Sequence, residues 1–228
     1  MSRIKRIFSD GSRLSDALAS IRHMMVINVL WVVCSLPLVT FGAASAAAFA
    51  ALRLTGDAAD VKSGKAFFAF FKEHFSRATK LWLILALLAL PIALLVMLFV
   101  NSGLHPVAVG AGCVYILLYG LVFTYSFQVL IRSEGTAAEV IVFSLMAGLR
   151  YFHWSVLVLL LGEIPVFMFL FVEEAFVSTL PLWLLYAFSF LAYLQQLILK
   201  IPFRKLSKIV DFLNPEQPEL SEEFLTEY

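Results

Sequence analysis

Five long apolar stretches, Met24–Leu52, Leu81–Val100, Val107–Ile131, Trp154–Val172 and Thr179–Leu199, contain no Lys or Arg, and they limit what this chain can fold into more than any other feature. A helix rising about 1.5 Å per residue needs about twenty residues to cross a hydrocarbon core roughly 30 Å thick. Backbone amides in lipid must find partners within their own segment, so stretches of this length are expected as helices. With 61% hydrophobic and only 14% charged residues, the chain departs from the balance of a soluble domain. The fold class that follows is all-α, a polytopic transmembrane helix bundle of about five membrane segments.

The first stretch is too long for one straight crossing, at about 43 Å for 29 residues. It also contains Ser35-Leu36-Pro37-Leu38-Val39-Thr40-Phe41-Gly42, a sequence suited to breaking a helix. One reading is two half-helices that run in and back, broken near Pro37–Gly42. The other is a single tilted crossing kinked at Pro37, which a faint duplication of Pro91 and Pro165 in the second and fourth stretches supports. Ala44-Ser45-Ala46 has the form of a signal-peptidase site. The preceding basic region and apolar run are both too long for a signal peptide, however, and cleavage would place a strongly basic loop outside.

Charge assigns the borders. Lys and Arg number six in Arg53–Lys80, none in Asn101–Pro106, two in Arg132–His153, none in Glu173–Ser178 and four in Lys200–Lys208. Under the positive-inside rule the basic segments and the C-terminus are cytoplasmic, and the two uncharged turns lie outside. Arg3, Lys5, Arg6, Arg13 and Arg22 place the N-terminal segment on the cytoplasmic side too. The expected organisation is a basic interfacial segment at 1–23, a helical domain at 24–208 with an amphipathic cytoplasmic loop at 53–80, and an acidic disordered tail at 209–228. The formal net charge of +1 gives no basis for nucleic-acid binding. Cys34 and Cys113 are isolated within apolar stretches, and His23, His74, His105 and His153 never pair at ligand spacing, so neither a metal nor a cofactor is expected.

Three groups of residues are candidates for a mechanism. Gly42, Ala46 and Ala50 recur every fourth residue after the break, a small-residue face that lets another helix approach closely. Thr40 is placed to cap that half-helix, which frames either a ligand site at a broken helix or a packing kink. In the loop Val61–Lys80, Phe67, Phe71 and Phe75 fall at four-residue spacing with Phe68 beside them and Lys72 among the polar positions. That pattern is expected to form an interfacial helix with its aromatic face on acyl chains, or alternatively a docking surface for a partner. Glu163 is an acid near the middle of the fourth stretch, with Tyr119, Tyr186 and Ser189 at matching depth. Tyr186, Ser189, Tyr193 and Gln196 continue as a polar stripe. These residues make either a polar pocket around an ionisable acid or a set of interhelical hydrogen bonds around a protonated one.

Leu36-Pro37-Leu38-Val39-Thr40-Phe41-Gly42 with the Ala-rich run after it, and Phe67-Phe68-Ala69-Phe70-Phe71-Lys72-Glu73-His74-Phe75, resemble the paired signatures of the YesL family of bacterial integral membrane proteins. His74 stands where relatives are expected to carry Asn, so nothing resting on that amide transfers. The resemblance implies a context of carbohydrate uptake or its sensing, and no catalytic residue. The function expected is that of a non-enzymatic accessory component contacting the lipid bilayer and transporter or sensor subunits. The alternative is a small-solute transporter or channel. An intramembrane enzyme is disfavoured, since no His-Glu-x-x-His, nucleophile-elbow serine or Gly-x-Gly-Asp is present.

Overall fold

The computed structural model describes residues 13–57, 62–102, 106–162 and 164–213. Helices account for nearly all of them: α1 (Arg13–Ser35), α2 (Phe41–Leu52), α3 (Ser63–Ser102), α4 (Pro106–Leu130), α5 (Ala137–Arg150), α6 (Phe152–Gly162), α7 (Ile164–Phe171), α8 (Glu173–Leu182) and α9 (Phe188–Leu213). Short 3-10 turns occupy Leu38–Thr40 and Arg53–Asp57, and a π-helical turn, Trp183–Ala187, joins α8 to α9. No strand occurs among the described residues. Five helical segments are long and apolar enough to cross a membrane: Ala17–Ser35, Leu38–Thr55, Ser63–Leu95, Val107–Leu130 and Phe176–Ile201. The chain is an all-α membrane protein.

Its residues divide into two compact units, the first drawn from Met1–Thr79 and Glu163–Leu194, the second from Lys80–Gly162 and Gln195–Tyr228. The first unit is built on a helical hairpin. Ser20 bonds Thr55, His23 bonds Ala51, Trp31 bonds Ser45 and Thr40 bonds Cys34, so the pairs step inward together along both arms. The arms α1 and α2 are therefore antiparallel, and the first apolar stretch goes in and back rather than crossing once with a kink. Pro37 supplies the break because it has no N–H to continue α1.

Helix α2 is buried nearly all round. Gly42, Ala46 and Ala50 are buried as the small-residue spacing requires, but so are Ala43, Ala44, Ser45, Ala47, Ala48, Ala51 and Leu52. Its small residues act on every side rather than as one face, and a helix without a polar face is one that its neighbours surround.

The segment expected as a separate interfacial helix is instead the first part of α3. One buried stripe, Phe67, His74, Ala78, Leu81 and Leu85, runs without a change of phase from that segment into the membrane span. Phe67 is fully buried and packs with Met24, Ile27, Ala47, Ala48, Ala51 and Leu52 in the hairpin core, so it is not a lipid anchor. A four-residue step over-rotates a helix of 3.6 residues per turn by about 40°. Hence Phe67 faces the core, Phe71 is half-buried at its edge, and Phe75, Phe68 and Lys72 point outward.

In the second unit α4 packs against α5 and α6, which bend by 108° at Tyr151. Thr136 and Glu139 close a reciprocal capping box at the start of α5. Ser155 holds the bend: its Oγ lies 2.9 Å from the Gly148 carbonyl and 3.0 Å from that of Tyr151, with the Tyr125 hydroxyl 2.9 Å away. Gly148 lets α5 approach α4 closely, since a Cβ there would lie 3.0 Å from Leu121 Cβ. The fourth apolar stretch is helical on both sides of Glu163, as α6 and α7, and Glu163 itself falls outside the described residues. Residues 209–213, expected as the start of the tail, are the end of α9; the acidic segment 214–228 and the basic segment 1–12 also lie outside.

Candidate functional site

The most elaborate polar arrangement in the first unit joins the hairpin to the π-helical turn. Asn28 lies on α1 among apolar neighbours and is completely buried. Its amide nitrogen donates to the carbonyl oxygens of Trp183 at 2.9 Å and Leu184 at 2.7 Å. Its Oδ1 accepts the backbone N–H of Ser189 at 2.7 Å. All three bonds go to backbone, and together they bracket the turn from its first residue to just past its last.

The local sequence explains why the turn needs such a partner. Pro181 lies inside α8 and has no N–H, so the helical ladder is already interrupted two residues before Trp183. Changing from i+4 to i+5 pairing loosens the ladder further, and π turns of this kind concentrate at functional sites. In lipid no water is present to satisfy a loosened carbonyl, so a side-chain amide with two donors and one acceptor takes that place.

Aromatic rings pack around the junction. Trp31 lies 5.9 Å from Phe41 and 5.1 Å from Phe188, and Trp183 lies 5.3 Å from Phe188. Each indole also finds an acceptor: Trp31 Nε1 donates to Ser45 Oγ and Trp183 Nε1 to Thr179 Oγ1, both at 3.2 Å. Paired rings contribute about 0.5–1.5 kcal/mol each beyond their buried area, so they add rigidity where the backbone is irregular.

A second polar group closes the base of the hairpin. His23 Nε2 lies 2.9 Å from the Ala51 carbonyl and Nδ1 lies 2.8 Å from Ser63 Oγ. A carbonyl only accepts, so Nε2 carries the proton, while Nδ1 pairs with the Ser63 hydroxyl. One imidazole thereby ties α1, the end of α2 and the start of α3. Ser20 Oγ donates to the Thr55 carbonyl at 3.1 Å, and Thr55 Oγ1 to that of Leu52 at 2.6 Å.

The residues singled out from the sequence are dispersed differently. Tyr186 lies in the π turn and packs, half-buried, against the hairpin core, and Ser189 is buried and bonded to Asn28 through its backbone. These two do meet at one junction. Tyr119 belongs to the second unit, where its hydroxyl donates to the Leu85 carbonyl at 3.2 Å. Tyr115 beside it donates to the Leu88 carbonyl at 2.6 Å, and the two bonds support α3 just before Pro91. Glu163 is not among the described residues. Thr40 does not cap α2; its Oγ1 turns back to donate to the carbonyls of Cys34 at 2.6 Å and Pro37 at 2.8 Å. Asn28 and His23 carry the junction and the base, and spacing gave no sign of either role. The one available signal was an amide alone in a 29-residue apolar run.

Comparison with known proteins places part of this architecture in a wider group. Residues 24–101, which hold the second half of α1, all of α2 and nearly all of α3, match a family described as a protein of unknown function, DUF624. No curated protein and no solved structure matches the chain.

Proposed function

We propose that this chain is a non-enzymatic integral component of a bacterial cytoplasmic membrane, an accessory that binds transporter or sensor subunits concerned with carbohydrate uptake. The observation that carries this reading is the use of intramembrane polar groups. Asn28, Tyr115, Tyr119, Tyr125 and Ser155 direct their hydrogen bonds to the chain's own backbone and to one another, which is how a scaffold uses polarity. The carbohydrate context rests on the resemblance to the YesL family, whose two signatures both lie within residues 24–101. The cytoplasmic placement of both ends rests on the Lys and Arg distribution. Tagged chain extracted from native membrane in mild detergent should bring a sugar transporter or sensor subunit with it; isolation alone under every mild extraction would overturn the proposal.

A transporter is the second reading, favoured by the π turn carrying Tyr186, a place where a helix changes register. Purified chain in liposomes decides between them. Solute flux abolished by Glu163→Gln would establish transport, and no flux across sugars and organic ions would remove it.

A further inference from the structure

Both arms of the hairpin, Ala17–Ser35 and Leu38–Thr55, are long enough to cross a membrane by length and composition, but Arg22 and Arg53 lie inside those limits and shorten the part free of charge. Arg22 is exposed on α1, and Arg53 follows directly on the end of α2 at the same level, where Ser20, His23, Thr55 and Ser63 make the polar base. Neither Arg is able to sit far inside hydrocarbon, so the two mark one border. From Arg22 to Ser35, thirteen residues of helix span about 20 Å, against a hydrocarbon core of about 30 Å. Snorkelling of the arginines lowers the arms by a few ångström and still leaves the turn short of the opposite border.

The turn itself is dressed for lipid. Leu36, Leu38 and Val39 are 75%, 77% and 56% exposed, and no charged residue occurs anywhere in 24–52. Irregular backbone is excluded from hydrocarbon because its amides go unsatisfied, but this turn bonds to itself. The Thr40 hydroxyl donates to the Cys34 and Pro37 carbonyls, Thr40 N–H also to Pro37, Leu36 N–H to Val33 and Phe41 N–H to Leu38.

We infer that the α1–α2 hairpin is a re-entrant wedge that enters from the Arg22 and Arg53 border, and that its Leu36-Pro37-Leu38-Val39 tip is an interaction surface for phospholipid acyl chains of the far leaflet. The identity of any protein partner does not bear on this.

The test uses the full chain with Cys34→Ala and Cys113→Ala, and Leu38→Cys or Val39→Cys carrying a nitroxide, in phosphatidylcholine and phosphatidylglycerol vesicles. Both positions are exposed, so the substitutions remove little packing. Ser102→Cys, at the last residue of α3 beside the uncharged segment, marks the aqueous border. Molecular oxygen should relax the labels at 38 and 39 strongly and a nickel chelate weakly, with an oxygen-to-nickel ratio severalfold above that at 102. Nickel access equal to that at 102 would mean two complete crossings, and exclusion of both reagents would mean a second copy or another protein covering the tip; either overturns the inference. As an independent readout, a membrane-impermeant maleimide applied to spheroplasts should modify Ser102→Cys and leave Leu38→Cys untouched. Equal modification of the two also overturns it.

Discussion

Asn28 shows how much one side chain organises where water is absent. Its three bonds reach Trp183, Leu184 and Ser189, and an interhelical bond in a membrane is worth about 0.6 kcal/mol on average. Asn28→Leu should therefore destabilise the protein by about 2 kcal/mol, read as a lower midpoint in detergent denaturation. Val29→Leu, on the exposed neighbour, should stay within about 0.5 kcal/mol of the parent. This residue was the least legible feature of the chain. Hydropathy averages over a window, so one amide barely changes it, and a partner far along the chain leaves no periodic trace. Thr40 was legible only in part: its place at the break was plain, but capping rules derived for water do not say that its hydroxyl turns back toward orphaned carbonyls instead.

Among the elements, hydrophobic length was readable where a stretch forms one helix and not elsewhere: the second stretch is the later half of α3, and the fourth is not among the five spans. The third apolar stretch coincides with α4 almost to the residue, because hydrophobic length is dictated by the bilayer. Of the aromatic ladder of α3, Phe68 and Phe75 are exposed while Phe67 is buried, a split that spacing does not announce because a Phe facing lipid and a Phe facing another helix look alike in sequence. The π turn had only Pro181 to announce it. Close approach, by contrast, is predictable once helices are seen together. Gly148→Ala should force α4 and α5 apart against the fully buried Leu121, costing about 1–3 kcal/mol. Gly110→Ala on α4 meets nothing within 4 Å and should be neutral or stabilising by up to about 1 kcal/mol, since Ala favours helix. Thermal aggregation of the two purified variants separates these outcomes.

For the molecule as a whole, membrane character was evident from composition, and the alternating basic segments predict its orientation. Alkaline phosphatase fused after Leu104 should be active, and the same reporter fused after Glu134 should be silent. Green fluorescent protein at the C-terminus should fluoresce. Reversal of the two phosphatase results would invert the topology. Grouping into two units drawn from interleaved parts of the chain was beyond the reach of local pattern, because it depends on residues 163–194 joining the N-terminal portion. That interleaving sets a schedule for biogenesis. The amide of Asn28 leaves the ribosome 155 residues before Trp183, a delay of roughly 8–30 s at about 5–20 residues per second. Through that interval the nascent hairpin lacks the partner of its buried amide, so a chain stopped short of Trp183 should be degraded faster than the full chain, which pulse-chase labelling of the two checks.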